Sequence, residues 1–84
     1  SINDMKIWGV KSSALACENL MLALRAFGYD SCPIEFHDSS RIKRLLGLPS
    51  DAIITMVVSA GKRAANGVYG ERLRLDKINF VKEV

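Results

Sequence analysis

The chain has 84 residues, one domain at most, and a chain this short hides only about 60–65 % of its unfolded surface, so its core is marginal without a metal, disulfides or a partner. Two cysteines, Cys17 and Cys32, with no C-x-x-C, and a single histidine, His37, exclude a four-ligand zinc cluster, and with 49 % apolar residues they argue against a secreted disulfide scaffold. The net charge of +3 is uneven: residues 1–40 carry three bases against five acids, net −2, and residues 41–84 carry nine bases against four acids, net +5, which suggests an anionic partner for the second half.

Residues 4 to about 28 read as one long helix, with Asp4 near its start and Gly28 near its stop. At 1.5 Å per residue it would span roughly 37 Å. Val10, Ala14, Cys17, Met21 and Leu24 form one stripe at helical spacing, and Ala16, Leu20, Ala23 and Phe27 form a second beside it. Leu15 and Leu22 point elsewhere again, which leaves only Lys11, Glu18 and Arg25 as a polar edge. A helix apolar over most of its circumference is surrounded by other elements, and residues 29–84 hold too little apolar structure to surround it.

Asp30 to Phe36 is predicted as a short extended segment, because Pro33 lacks an amide donor and biases Cys32 away from helix. Asp38, Ser39 and Ser40 offer N-cap oxygens for a short helix with Ile42, Leu45 and Leu46 on one face; Gly47 ends it and Pro49 prevents continuation. Residues 52–60, Ala-Ile-Ile-Thr-Met-Val-Val-Ser-Ala, read as a strand covered on both faces. One strand is not a sheet, so its partner strand is expected to lie outside this chain. Gly61 to Gly70 is a loop with three glycines and the turn pair Asn66-Gly67. The tail places Ile78, Phe80 and Val84 on one side of an extended segment, interrupted by Lys82, as suits an edge strand laid on another sheet, including one in a second subunit.

No stretch approaches 18 uninterrupted apolar residues, and Ser1-Ile2-Asn3-Asp4 lacks the pattern of a secretory leader. The reading is a soluble, cytoplasmic protein. The first residue is not methionine, which a processed or truncated chain would explain.

Gly61-Lys62 is not a P-loop, there is no G-x-G-x-x-G, and no catalytic triad or carboxylate dyad can be argued from spacing. His37 reads as a solvated or capping residue. Two constellations carry more. Arg72 and Arg74, one residue apart, point to the same side of an extended chain and would grip a phosphate through forked guanidinium donors, with Lys62 and Arg63 as helpers. The bland reading of the same residues is a solvated basic patch. Pro33-Ile34-Glu35-Phe36 is a proline-fixed apolar bend that could press on a flat ligand and aim amides at its polar edge, or serve only as a connector.

These segments in this order, Gly28 to Glu35, Arg41 to Pro49, Gly61 to Gly70, Arg72-Leu73-Arg74 and the closing Lys82-Glu83-Val84, resemble the C-terminal part of the nitroreductase family of flavin-dependent NAD(P)H oxidoreductases. The resemblance covers nearly the whole chain. It implies an α+β fold in which two subunits interlock around long central helices as a homodimer, with two FMN molecules at their interface. Residues 1–84 would be the C-terminal portion of a single nitroreductase-like domain whose N-terminal portion, including the family's Arg-Arg-Ser type FMN motif, is absent. Carried over by residue, Pro33 and Ile34 would pack on the isoalloxazine ring, the backbone at Glu35 would approach its N5 edge, Arg72 and Arg74 would bind the FMN phosphate, and the tail would cross to the partner's sheet. NAD(P)H would be the electron donor, and a nitroaromatic or quinone the acceptor.

Relatives commonly have Gly-Phe-Asp after the glutamate, where this chain has Phe36-His37-Asp38. Loss of that glycine would narrow the approach to the flavin, since only glycine brings backbone close without a Cβ. Without its N-terminal portion the chain is expected to bind flavin weakly and to be inactive alone. The alternatives are a small basic module binding nucleic acid through residues 41–74, against which stands the lack of an interleaved aromatic platform, and a non-catalytic dimerisation module.

Overall fold

A computed structural model describes residues 1–68 and 70–84; Tyr69, in the glycine loop expected from the sequence, lies outside the described residues. The order of elements is helix α1 (Ile2–Ala26), strand β1 (Asp30–Ile34), helix α2 (Ser39–Leu46), strand β2 (Val57–Gly61) and a single 3-10 turn (Lys77–Asn79). Helix and strand occur together, as an α+β reading requires.

The long helix begins earlier than Asp4. Ser1 is its N-cap and Asp4 its third residue, and the two form a capping box in which the Ser1 hydroxyl accepts from the Asp4 amide at 3.2 Å. At the other end the Gly28 amide donates to the Arg25 carbonyl and the Tyr29 amide to that of Leu24, with Gly28 at φ +86°. These two bonds make a Schellman closure, which needs a left-handed residue where Gly28 stands. The same closure ends α2: Gly47 at φ +67° donates to Arg44 and Leu48 donates to Lys43. Asp38 alone caps α2, its carboxylate accepting from the Arg41 amide at 3.2 Å.

The two strands pair antiparallel, in the register Asp30 with Gly61, Ser31 with Ala60, Cys32 with Ser59, Pro33 with Val58 and Ile34 with Val57. This corrects the expectation of a partner strand outside the chain: the stretch 52–60 pairs within it, on the proline-containing segment before α2. Pro33 brings no N–H to the ladder, which suits a strand lying at an edge. The expected strand is shortened, because β1 offers only five residues to pair with, and 52–56 carry no ladder. Nor is it covered on both faces within this chain: Val57 and Val58 are half-buried and Ser59 to Gly61 exposed.

On α1 the residues that are half-buried are Gly9, Val10, Ala14, Cys17, Met21 and Leu24, the first stripe read from the sequence plus Gly9. The second stripe is bare: Leu20 and Phe27 are 49 % and 82 % exposed. Among the described residues no apolar side chain is fully buried. The chain exposes 7850 Å², where a folded monomer of this size exposes about 5,000 Å². Its radius of gyration is 16.5 Å, against about 12 Å for a compact domain of this length. The half-buried stripe is thus one side of a helix whose other apolar sides face solvent.

In the single chain the tail is not a strand. Lys77–Asn79 form a 3-10 turn, with the Asn79 amide donating to Asp76, and residues 81–84 pair with no strand. A strand exists only where a neighbour takes its backbone groups, and none of the described residues pairs with the tail in a ladder.

Candidate functional site

The site expected from the sequence has two parts, and both face solvent. Pro33 and Ile34 occupy the last two positions of β1, and Glu35 and Phe36 come next, outside the ladder; all four are exposed, Phe36 at 99 %. The segment is anchored immediately afterwards. His37 is half-buried with Nδ1 3.2 Å from the Ser39 hydroxyl, and Asp38 caps α2. His37 is therefore tied to the start of a helix through the Ser39 side chain, and the cap itself is Asp38. This anchoring fixes the backbone beyond Phe36 and leaves the Phe36 ring projecting.

Arg72 and Arg74 lie outside any helix or strand, alternating with Leu73 and Leu75, which are 88 % and 69 % exposed. Among the described residues neither arginine has a carboxylate partner within ion-pair distance. Among the described residues no hydrogen bond joins them to Pro33, Ile34 or Glu35.

The two basic residues expected to assist, Lys62 and Arg63, are engaged elsewhere. The Asp30 carboxylate accepts the Arg63 guanidinium at 2.7 Å and the Arg63 backbone amide at 3.2 Å, and it also accepts Arg25 of α1 at 3.1 Å. The Arg63 side-chain bond, then its amide bond, then the charges of Arg63 and Arg25 hold the Asp30 carboxyl below its ordinary value, and the Arg63 guanidinium is correspondingly raised. Lys62 Nζ lies 5.8 Å from the centre of the Tyr29 ring, within cation–π range. Asp30 carried no role in the sequence reading. Its signal is a lone acid heading one strand with an arginine just past the end of another, and that is legible only once the pairing is known.

Two further basic residues have local partners. Arg41 reaches Asp38 at 3.6 Å, and Lys43 donates to the Ser50 carbonyl at 3.0 Å. These ties, with that of Arg63 to Asp30, take up part of the charge that the nucleic-acid alternative needs for a positive track. Among the described residues no group of three metal-ligating side chains converges, and no helix is long and apolar enough to cross a membrane.

Between α1, α2 and the stretch leading into β2 lies an open apolar hollow of about 560 Å³, with Cys17, Ile42, Leu46 and Met56 in its wall. Cys17 and Cys32 are both free thiols.

The nitroreductase family model matches residues 3–62, which include α1, both strands and α2. The chain belongs to the nitroreductase family. It is 45 % identical over 53 residues to protein DrgA of Synechocystis sp., an alignment covering 63 % of this chain and 25 % of DrgA. It is 36 % identical over 73 residues to a Thermus thermophilus protein named NADH dehydrogenase, covering 87 % of this chain and 36 % of that protein. It is 38 % identical over 65 residues to the Bacillus subtilis protein named NAD(P)H nitroreductase YdgI, covering 76 % and 31 %. This nitroreductase-family chain thus spans about a quarter to a third of the length of these relatives. No solved structure matches it significantly.

Proposed function

We propose that this chain forms part of the flavin site of an NAD(P)H-dependent, nitroreductase-type oxidoreductase, and is the C-terminal portion of the domain. Pro33 and Ile34 lie against the isoalloxazine ring with the Glu35 backbone at its polar edge, and Arg72 and Arg74 hold the FMN phosphate. The observation that carries the reading is the family match over residues 3–62. Two of the relatives carry names of NADH- or NAD(P)H-linked enzymes.

The residues present suit a flat anionic ligand. Pro33 and Ile34 offer a solvent-facing apolar strip at the end of β1, and Arg72 and Arg74 carry guanidinium groups with no carboxylate partner among the described residues. Two forked donors with permanent charge suit a phosphate. A bound flavin supplies hydride and electron transfer from NAD(P)H to a nitroaromatic or quinone acceptor, and the protein supplies position and electrostatics. Phe36 stands next to the strip, where the family resemblance leads one to expect glycine, and there it narrows the acceptor's approach.

The bare second stripe of α1, the 7850 Å² of exposed surface and the unpaired tail support an assembly with further protein. That protein is a second copy, as a homodimer, together with the complementary N-terminal portion of the domain. The chain alone is then inactive, and the cytoplasm is the compartment that suits two free thiols. The test is a visible spectrum and a turnover assay on the complete assembly and on the isolated 84 residues. Stoichiometric flavin and quinone-dependent NAD(P)H oxidation are expected from the assembly alone. A colourless, inactive assembly would refute the oxidoreductase reading, and a stoichiometric flavin complex of the isolated chain would refute its dependence on further protein.

A further inference from the structure

We infer that Asp30 is a positioning residue: by bridging Arg63 and Arg25 it fixes the register of β1 on β2, and with it the placement of Pro33, Ile34 and Glu35. The last clause rests on the flavin-site reading above; the register itself does not.

The two strands are far apart in sequence, joined through α2, so no tight turn dictates which residue faces which. A register slip of one residue would turn every β1 side chain to the other face. Side-chain patterning resists that slip only weakly here, because neither face of the pair is deeply buried and Cys32, Pro33 and Ile34 are exposed. Pro33 further removes a donor at the Ile34 end of the ladder. Specification must come from the other end. There Asp30 stands opposite Gly61, and its carboxylate takes both the side chain and the backbone amide of Arg63, two residues past that partner. Binding one residue through guanidinium and amide together ties it to a position along the strand, which a single charge contact between flexible side chains would not. The same oxygen that receives the Arg63 guanidinium also receives Arg25 from the last turn of α1, so the strand pair is referenced to the helix as well. One step further out, Lys62 lies over Tyr29, a second contact in the same register. At 25 % exposure the Asp30 side chain is the least exposed carboxylate in any ion pair among the described residues.

This arrangement also withdraws Arg63 from phosphate binding, which separates it from Arg72 and Arg74. Its loss acts through the strand and so affects binding of a flavin with or without a phosphate.

Cross-strand trapping in the complete assembly reads the register directly. Cys32 faces Ser59, and opposed positions in a strand pair lie within disulfide reach. In a Cys17→Ser background, mild oxidation of Ser59→Cys should link residues 32 and 59, and Val58→Cys or Ala60→Cys should link poorly. Asp30→Asn and Arg63→Gln should each lower the 32–59 yield at least fivefold and raise trapping at 58 or 60. The double variant should be no worse than Asp30→Asn alone, and Asp30→Glu should recover most of the yield. An unchanged trapping pattern in Asp30→Asn, or a double variant clearly worse than Asp30→Asn alone, would overturn the inference. In parallel, Arg63→Gln should weaken FMN and riboflavin by the same factor, whereas a loss confined to FMN would make Arg63 a phosphate ligand and overturn its assignment. If the unaltered assembly binds neither flavin, the functional reading fails and the trapping result alone decides the register clamp.

Discussion

The amide of Tyr29 donates to the carbonyl of Leu24 at 2.8 Å, and this one bond turns the chain from the axis of α1 into β1. It spans Gly28, whose φ of +86° lets the backbone reverse within two residues. The direction in which β1 leaves the helix, and hence the place where Asp30 meets Arg25, is set by that reversal.

Gly28→Ala should therefore destabilise the protein by roughly 1–2 kcal/mol, the usual cost of a left-handed conformation for a residue with a Cβ. The cost is purely conformational, since a Cβ at Gly28 would meet nothing within 4 Å. Gly47→Ala, at φ +67° in equally open space, should cost a similar amount. Urea unfolding of the complete assembly measures both, and a loss-free Gly28→Ala would show that the closure of α1 does not constrain β1.

The Asp30 carboxyl should titrate below the ordinary aspartate value of about 3.9, because the Arg63 side chain and amide bond to its charged form. With the folded value lower than the unfolded one, the stabilisation is complete above the unfolded value and is lost as pH falls through the folded one. Carbon-detected NMR titration of Asp30 measures this. Arg63→Gln should raise the midpoint, and added salt should do the same more weakly because the partners are partly exposed.

Local chemistry made much of this fold legible in advance. Asp38, Gly28 and Gly47 announced helix ends through side-chain oxygens and absent Cβ atoms, and the spacing of Val10, Ala14, Cys17, Met21 and Leu24 picked out the face of α1 that the chain itself covers. Pairing was not legible, because Pro33 in β1 and Val58 in β2 are opposed through contacts that no local preference encodes. The tail depends on a sheet from outside in the same way: Ile78 and Phe80 alternate as strand residues do, and in the single chain Lys77–Asn79 take a 3-10 turn. At the candidate site, Arg72 and Arg74 could be singled out by their spacing, whereas the tie between Asp30 and Arg63 joins residues 33 positions apart.

Arg72→Ala combined with Arg74→Ala should weaken FMN much more than riboflavin in the complete assembly. Charge-assisted bonds contribute roughly 1.5–3 kcal/mol each, so the double variant should lose at least about two orders of magnitude in FMN affinity. Fluorescence quenching titrations with both flavins check this. Equal losses for the two would show that these arginines do not touch the phosphate.

The second stripe of α1 leads to the last prediction. Leu20 and Phe27 share one face of the helix and are 49 % and 82 % exposed. Full burial of a leucine or phenylalanine side chain is worth about 1.5–3 kcal/mol, so covering this face with further protein is strongly favoured. A charge there has no compensating partner, because the nearest polar edge, Lys11, Glu18 and Arg25, lies elsewhere on the helix. Leu20→Asp and Phe27→Asp should each shift the assembly towards smaller species in analytical ultracentrifugation, at least tenfold in dissociation constant. Neither change removes a contact of the half-buried first stripe, so helical circular dichroism per residue should fall little. Lys11→Asp, on the polar edge, should leave the assembly intact. If the two apolar-face variants sediment as the unaltered protein does, this face of α1 lies outside the assembly interface.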